Sequence, residues 1–291
     1  MIDLIIGVIR AAIRAGSPLL VGTLGEIYTE RSGILNLGVE GMMLVGAVTA
    51  FAVTQSTGSI FLGILAAIIA GGLMGLVHGF MSITLKVNQY VSGLALVMLG
   101  SGVSSLIGLG FIGIRGKTLS PVLFGYDILV YVFLALAGIL WFVMYRTRIG
   151  IEIRSVGENP AAADALGVNV DRTRYMCTIF GGMMVGLAGS YLSVAYLSSW
   201  TDNMTSGRGW IILALTIFAS WDPRGAVIGA WLFGGIEALQ YRLQPLGISP
   251  SFLNMLPFIA TIIILVVSGR LRKGGGQPPA SLGKPYRRGE R

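Results

Sequence analysis

Long apolar stretches recur along the whole chain of 291 residues, and they restrict it to one class of fold. A membrane core about 30 Å thick needs about 20 consecutive apolar residues per helix. Nine such runs are present, at about residues 4–25, 33–54, 58–82, 90–112, 128–146, 175–198, 209–221, 225–241 and 253–269. Only 12% of the residues are charged, against about 25% in a soluble domain. The sequence therefore predicts an all-α, polytopic transmembrane helical bundle of about 8–10 spans. It excludes a soluble enzyme, a secreted disulfide scaffold and a disordered chain.

Two regions leave the span count open. The first run contains Arg10 and Arg14 and is interrupted at Gly16–Ser17–Pro18, and it is too long for a cleaved signal peptide. The seventh and eighth runs, within 209–241, are short and form either two spans or one re-entrant hairpin. We expect residues 1–270 to form a single transmembrane domain. Residues 271–291 are basic and rich in glycine and proline, so we expect them to form a disordered tail.

Lysine and arginine residues cluster in two stretches, the loop 147–174 and the tail 270–291. If both stretches are cytoplasmic, 15 of the 21 basic residues lie on that side of the membrane, as the positive-inside rule requires. The net charge of +8 then reports orientation and requires no nucleic-acid partner. Nine spans with this orientation place the N-terminus outside. Arg10 and Arg14 argue against that location, because basic residues favour the cytoplasmic side.

Single copies of two reactive residue types limit the chemistry. Cys177 is the one cysteine and His78 the one histidine, so an intramolecular disulfide and a multi-histidine metal or haem site are excluded. The chain has no G-x-x-x-x-G-K-[ST] loop, so it does not hydrolyse ATP alone. We expect no cofactor, no metal and no catalytic residue, and His78 is interpreted as a hydrogen-bonding residue near a helix end.

Glycines recur at helical spacing in three of the apolar runs. Since lipid gives helices little hydrophobic reason to associate, small residues mark the faces at which helix backbones approach each other. The predicted packing faces contain Gly71, Gly75 and Gly79 in the third run, Gly182, Gly186 and Gly189 in the sixth, and Gly225 and Gly229 in the eighth.

Polar residues inside apolar runs are costly and often functional. Asn36 and Glu40 are four residues apart, so on a helix they share one face, and nearby glycines favour a broken helix end that offers backbone donors to a polar ligand. Alternatively, Glu40 pairs with Arg31 or a neighbouring helix and only locks the fold. Asn88 and Gln89 open the fourth run, either as ligand contacts or as ordinary interfacial residues. Weaker candidates are Glu237, as a proton or cation site, and three tryptophans near span ends that an aromatic belt explains, Trp200, Trp210 and Trp221.

The loop between the fifth and sixth runs contains a short helix. Asn159 is suited to cap a helix that runs from Pro160 to Leu166 and is stopped by Gly167. A short helix of small residues is typical of an element that docks into a groove on a separate protein. A plain connecting helix is the alternative.

Two motifs together resemble the permease subunits of ATP-binding-cassette importers, in the branch that serves branched-chain amino acids, simple sugars and nucleosides. The first motif runs from Glu30 to Met43. The second comprises Gly157, Glu158, Asn159, Pro160, Ala163, Asp164, Leu166 and Gly167. The resemblance covers about residues 4–270. The form E-R-S-G-x-L-N-x-G-x-E-G is most similar to the shorter permease of nucleoside or simple-sugar systems.

The resemblance implies a mechanism and partners. The second motif would be the coupling helix that sits on a separate ATPase subunit. A second, homologous permease would complete the pathway, and an extracytoplasmic binding protein would deliver the substrate across a prokaryotic cell membrane. The expected function is nucleoside import by alternating access, with Asn36, Glu40, Asn88 and Gln89 lining the path. A simple sugar such as ribose and branched-chain amino acids are alternative substrates, and a stand-alone proton-coupled carrier using Glu237 or Glu40 is a further alternative.

Overall fold

The computed structural model describes residues 2–247, 249, 252–253, 255–271 and 277–287. Within these ranges the chain is nearly all helical and forms no β-strand. The helices are α1 Ile2–Arg31, α2 Val39–Thr57, α3 Ile60–Gly79, α4 Gln89–Gly108, α5 Ile128–Arg146, α6 Arg148–Glu158, α7 Pro160–Ala165, α8 Val170–Tyr191, α9 Arg208–Phe218, α10 Pro223–Leu243 and α11 Leu256–Leu271. A π-helical turn extends α3 over Phe80–Thr84 and another extends α8 over Leu192–Tyr196.

Six helical segments are long and apolar enough to cross a membrane: Ile6–Arg31, Val39–Thr57, Ile60–Thr84, Gln89–Phe111, Ile128–Arg146 and Val170–Tyr196. They correspond in order to the first six apolar runs, so the predicted all-α transmembrane bundle is confirmed. Among the described residues the count is nevertheless six and not 8–10. Of the later helices, α9 and α11 are too short by this measure, and α10 carries Arg224, Glu237 and Arg242.

Helix α1 continues without interruption through the predicted break at Gly16–Ser17–Pro18. Pro18 lacks a backbone donor, so one helical hydrogen bond is lost at this point. The neighbouring Ser17 hydroxyl donates to the Ile13 carbonyl at 2.7 Å, and the surrounding helices cover this part of α1. A single proline does not break a helix that is packed on several sides. The prediction of an interrupted first span is therefore wrong, and the helix reaches Arg31.

Glycines bring α3 and α8 into backbone contact, as their spacing predicted. A Cβ atom added to Gly71 would overlap the carbonyl oxygen of Gly182, and one added to Gly182 would overlap that of Gly71. Gly75 faces the Thr178 carbonyl in the same way. Beyond this contact, Gly189 faces the backbone of α2 at Met43. These positions carry glycine because no larger residue fits between the helices.

The region 209–241 forms a helical hairpin with one short arm. Helix α9 has 11 residues and is therefore about 16 Å long, roughly half the thickness of a hydrocarbon core. A turn with positive φ at Ser220 and Trp221 leads into α10, which has 21 residues. Helix α10 packs along α1, where Gly16 and Gly234 allow the two backbones to touch.

Residues 277–287 pack against the end of the bundle that carries α6 and α7, which we call the α6–α7 end. The Ser281 side chain is buried there, and its backbone N–H donates to the Gly157 carbonyl at 2.9 Å. This differs from the disordered tail that composition predicted for 271–291. The other parts of that expectation, 272–276 and 288–291, lie outside the described residues.

The tryptophan positions also differ from the expected aromatic belt. Trp200 and Trp221 are almost fully buried inside the bundle, while Trp210 is 39% exposed. Only Trp210 therefore has the exposure that a residue at the membrane surface requires.

Replacing Gly71 by alanine should destabilise the fold, because the new Cβ atom overlaps the backbone of α8. We expect a loss of about 1–3 kcal/mol, typical of overpacking, measured as a lower thermal unfolding midpoint in detergent. Gly102→Ala on α4 is the control, since a Cβ atom added there meets nothing within 4 Å. Equal midpoints for the two variants would contradict the packing described for α3 and α8.

Candidate functional site

The segment 32–38 is a non-helical loop enclosed within the bundle between α1 and α2. Buried backbone groups need hydrogen-bond partners, and here side chains supply them. The Gln89 Oε1 atom accepts from the Leu35 N–H at 2.7 Å, and His78 Nε2 lies 3.0 Å from the Leu35 carbonyl oxygen. The loop is therefore held by α3 and α4 as well as by its own ends. His78 is a hydrogen-bonding residue, as its isolation in the sequence indicated.

Asn36 lies in this loop and not on a helix. Its Oδ1 atom accepts from the Gly38 N–H at 3.0 Å, and its Nδ2 atom donates to Glu26 Oε2 at 3.3 Å. Helix α2 begins at Val39, so the helical face that the sequence predicted for Asn36 and Glu40 does not form. Asn36 instead ties the loop to α1 through the buried carboxylate of Glu26.

Glu40 caps the N-terminus of the short helix α9. Its carboxylate accepts from the Thr205 hydroxyl at 2.5 Å, the Gly207 N–H at 2.9 Å and the Gly209 N–H at 2.6 Å. A negative charge is favoured at this end of a helix by the helix dipole. Arg31 is not its partner, because Arg31 donates to the carbonyls of the turn after α9. In this conformation the backbone donors of the helix end are thus occupied by Glu40.

The two polar residues predicted at the start of α4 lie in different environments. Gln89 is buried beside the loop 32–38, whereas Asn88 is exposed and caps α4 by accepting from the backbone N–H groups of Tyr90 and Val91. The structure therefore gathers three of the four polar candidates, Asn36, Glu40 and Gln89, around one loop and its exit into α2. Asn88 lies outside that group.

A buried ion pair forms between Arg208 on α9 and Glu237 on α10. The Tyr196 hydroxyl donates to the same carboxylate at 3.4 Å, and the Arg208 guanidinium lies 5.9 Å from the Tyr196 ring centre. Glu237 is therefore not the lone acid that the sequence suggested. Arg208, directly before the seventh apolar run, was not among the residues that the sequence singled out. The signal that could have pointed to the pair is a base at the edge of one apolar run and an acid inside the next, since charges inside a membrane protein pair with each other.

Helix α7 presents one covered side and one open side. The Asn159 side chain accepts from the Ala162 N–H at 3.0 Å, which confirms the predicted cap, and Pro160 occupies the first turn. Ala163 is buried in a small cluster with Val156 and Val170. On the open side, the Leu166 side chain is 85% exposed.

The eight residues predicted at the coupling surface divide between these two sides. Glu158, Asn159, Leu166 and Gly167 are exposed. Gly157 and Ala163 are buried, and Pro160 and Asp164 are half-buried. The Asp164 carboxylate accepts from the Tyr286 hydroxyl at 3.1 Å. An open cavity of about 730 Å³ lies beside α7, between α5, α6 and α8, and includes Ile149, Glu152 and Leu166 in its lining.

Removal of the Glu40 carboxylate should release the N-terminus of α9. In Glu40→Ala we expect the amides of Gly207 and Gly209 to exchange with solvent at least about tenfold faster, because each loses a hydrogen bond to a charged acceptor. Hydrogen–deuterium exchange with peptide-level mass spectrometry measures this. Glu152→Ala removes an exposed acid and is the control. Unchanged exchange over 205–210 in Glu40→Ala would show that the cap described here is not needed.

Comparison with known proteins gives a consistent result. The putative glucose ABC transporter permease protein TsgC13 of Haloferax volcanii is 38% identical, over 89% of this chain and 90% of the relative. The guanosine ABC transporter permease protein NupQ of Bacillus subtilis is 33% identical, over 98% of this chain and 97% of the relative. The nucleoside ABC transporter permease protein NupC of Lactococcus lactis is 30% identical, over 86% and 88%.

Among solved structures, one described as PsaBC from Streptococcus pneumoniae in complex with Fab is similar over 89% of each chain, with a TM-score of 0.49 and 12% identity. A family model described as branched-chain amino acid transport system / permease component matches residues 8–267. The chain belongs to this family and is a multi-pass membrane permease subunit of an ABC importer, not an enzyme.

Proposed function

We propose that this permease subunit moves nucleosides into the cytoplasm by alternating access, driven by a separate ATPase subunit that docks on α7. The observation that carries the docking assignment is the exposed side of α7. Exposed apolar side chains that form a patch are typical of a protein–protein contact. Leu166, directly after α7, and Ile149 are both exposed and line the same open cavity. The exposed residues of α7 itself are alanines, which allow a partner to approach the helix backbone.

The adjacency of α7 and the tail supports a cytoplasmic location for both. The loop 147–174 and the tail are the two most basic stretches of the chain, and residues 277–287 lie directly against α6 and α7. The described part of the tail, with Lys284 and Arg287, therefore lies at the same end of the bundle as the loop 147–174, as the positive-inside rule requires of cytoplasmic segments. We place the α6–α7 end in the cytoplasm, and the docking site of an extracytoplasmic binding protein at the opposite end.

A second, longer permease is proposed to complete the transport path. The guanosine system of Bacillus subtilis includes two permease proteins named NupQ and NupP, and this chain is similar to both. It is 27% identical to NupP over 90% of this chain and 84% of the relative, below its identity to NupQ. This favours a role as the NupQ-like partner of a heterodimer.

The substrate path is proposed to pass the loop 32–38, with Asn36, Glu40 and Gln89 as its polar lining and Asn88 at its α6–α7 end. The loop joins the ends of the spans α1 and α2 and is largely buried in the bundle, and buried polar groups in a membrane protein often mark a substrate path. In the described part of the chain the buried Nε2 atom of Gln89 has no protein partner. It is therefore available to donate to a hydroxyl or a base carbonyl.

A simple sugar is the second candidate substrate. The observation that favours it is the 38% identity to the putative glucose permease of Haloferax volcanii, which exceeds the identities to NupQ and NupC. The nucleoside is favoured by two other relatives, the guanosine permease NupQ and the nucleoside permease NupC, which match over 98% and 86% of this chain. The form of the segment Glu30–Gly41 fits nucleoside and simple-sugar systems alike.

Leu166→Asp should prevent docking of the ATPase, because it places a charge where the partner groove is expected to be apolar. Residues at the centre of an interface commonly contribute about 2 kcal/mol or more. We therefore expect about a 30-fold loss of affinity in a titration of the detergent-solubilised permease pair with the ATPase. Leu166→Met preserves size and polarity and should bind normally. Normal assembly and import by the aspartate variant would refute docking on α7.

The substrate is tested by uptake into proteoliposomes that contain both permeases and the ATPase, with the cognate binding protein added. Labelled guanosine should be imported, and adenosine should compete because it shares the ribose and a purine base. Glucose and leucine should not compete. Import of labelled glucose with no nucleoside uptake would establish the sugar alternative, and a response to leucine alone would overturn both.

A further inference from the structure

The described part of the tail, residues 277–287, packs against three separate parts of the bundle at the α6–α7 end. It contacts the end of α6, helix α7 and the loop 32–38. The Ser281 hydroxyl donates to the Gly157 carbonyl at 2.7 Å, the Tyr286 hydroxyl donates to Asp164 at 3.1 Å, and the Gly283 N–H donates to the Gly33 carbonyl at 3.2 Å. We call residues 277–287 the strap.

Arg174, near the start of α8, connects the strap to the loop 32–38. Its side chain is 1% exposed. The Nε atom donates to the Ser32 carbonyl at 3.2 Å, Nη2 donates to the Ser281 hydroxyl oxygen at 3.2 Å, and Nη1 donates to the Lys284 carbonyl at 3.4 Å. In the described chain no carboxylate lies within ion-pair distance of Arg174. Its direct hydrogen-bond partners are uncharged, and the acid Asp171 acts on it at longer range. Arg174 is therefore held by the hydrogen bonds that join the strap to the loop 32–38.

The strap, the Arg174 side chain and the loop 32–38 are in close contact at this junction. A Cβ atom added to Gly33 would lie 2.5 Å from the Ser281 hydroxyl oxygen and 2.9 Å from Arg174 Nη2. At Gly157 an added Cβ atom would overlap the Arg31 carbonyl oxygen. Tightly packed groups transmit displacement because they have no space in which to absorb it. The end of α6, which leads directly into α7, the strap and the loop 32–38 are therefore in close contact at this junction.

We propose that the strap transmits movement of α7 to the loop 32–38, with Arg174 as the positioning residue that joins the two. The proposal rests on the proposed docking of an ATPase on α7. Helix α7 has no covalent link to the loop except through most of the transmembrane bundle. The strap supplies a direct connection, and from the loop the chain enters α2, where Glu40 holds the N-terminus of α9. The path thus runs from the coupling surface to the polar interior.

The test uses the complete reconstituted importer and measures substrate imported per ATP hydrolysed. The probe is guanosine, or glucose if the wild-type importer takes up the sugar. Ser281→Ala removes the group that bridges Gly157 and Arg174. We expect about a tenfold lower import per ATP, equivalent to about 1.4 kcal/mol, with stimulated ATP hydrolysis and the amount of assembled complex near wild type. Arg174→Gln should match Ser281→Ala, Arg174→Lys should restore part of the ratio, and the double variant of Arg174→Gln with Ser281→Ala should be no worse than either alone.

Gln277→Ala is the matched control within the strap, since the Gln277 side chain is exposed and makes none of the hydrogen bonds described between the strap and the bundle. It should keep the wild-type ratio. A wild-type ratio in Ser281→Ala and Arg174→Gln overturns the strap proposal, and so does a loss of import that only follows a loss of assembled complex. Failure of the wild-type permeases to bind the ATPase would instead refute the proposed function.

Discussion

Direct backbone contact between α8 and its neighbours fixes the positions of the buried polar groups in this permease. Helices in lipid gain little from burying apolar surface against each other, so close packing at small residues has to hold them together. Helix α8 meets α1 at Gly181, α3 at Gly186 and α2 at Gly189, and at each of these positions an added Cβ atom would overlap the neighbouring helix. A helix fixed on three sides has one rotational position. That position brings Arg174 under the loop 32–38 and leaves the preceding α7 at the edge of the bundle.

The packed helices enclose two irregular elements, the loop 32–38 that joins the spans α1 and α2, and the short helix α9. Buried backbone groups outside a regular helix need hydrogen-bond partners from elsewhere in the protein. Gln89 and His78 serve the loop, and Glu40 serves the start of α9. The loop 32–38 and α9 are connected, because the loop leads directly into the first turn of α2, where Glu40 caps α9. A change in the loop therefore alters the support of α9, which makes these two elements a single polar unit.

Local signals in the sequence were sufficient for the positions of the first six spans, the glycine faces of α3 and α8 and the capped helix α7, since each depends on residues a few positions apart. Contacts between distant segments were not predictable in this way. Arg208 and Glu237 are 29 residues apart, and the spacing of charges alone does not show that a half-length helix brings them together. The prediction of a helix break at Pro18 was wrong for the same reason. Propensity describes an isolated helix, whereas α1 is supported by α8 and α10.

The strap shows most clearly why amino-acid composition was a poor basis for predicting a disordered tail. Glycine and proline make a segment poor at forming its own core, but they do not prevent it from packing on a surface that already offers hydrogen-bonding groups. Gly33 and Gly157 offer their carbonyls, and Arg174 offers its guanidinium, at one patch of the α6–α7 end. The strap covers the Asp164 side of α7 and leaves Leu166 open. In the proposed docking, the ATPase would therefore meet α7 from the Leu166 side, which the strap leaves uncovered.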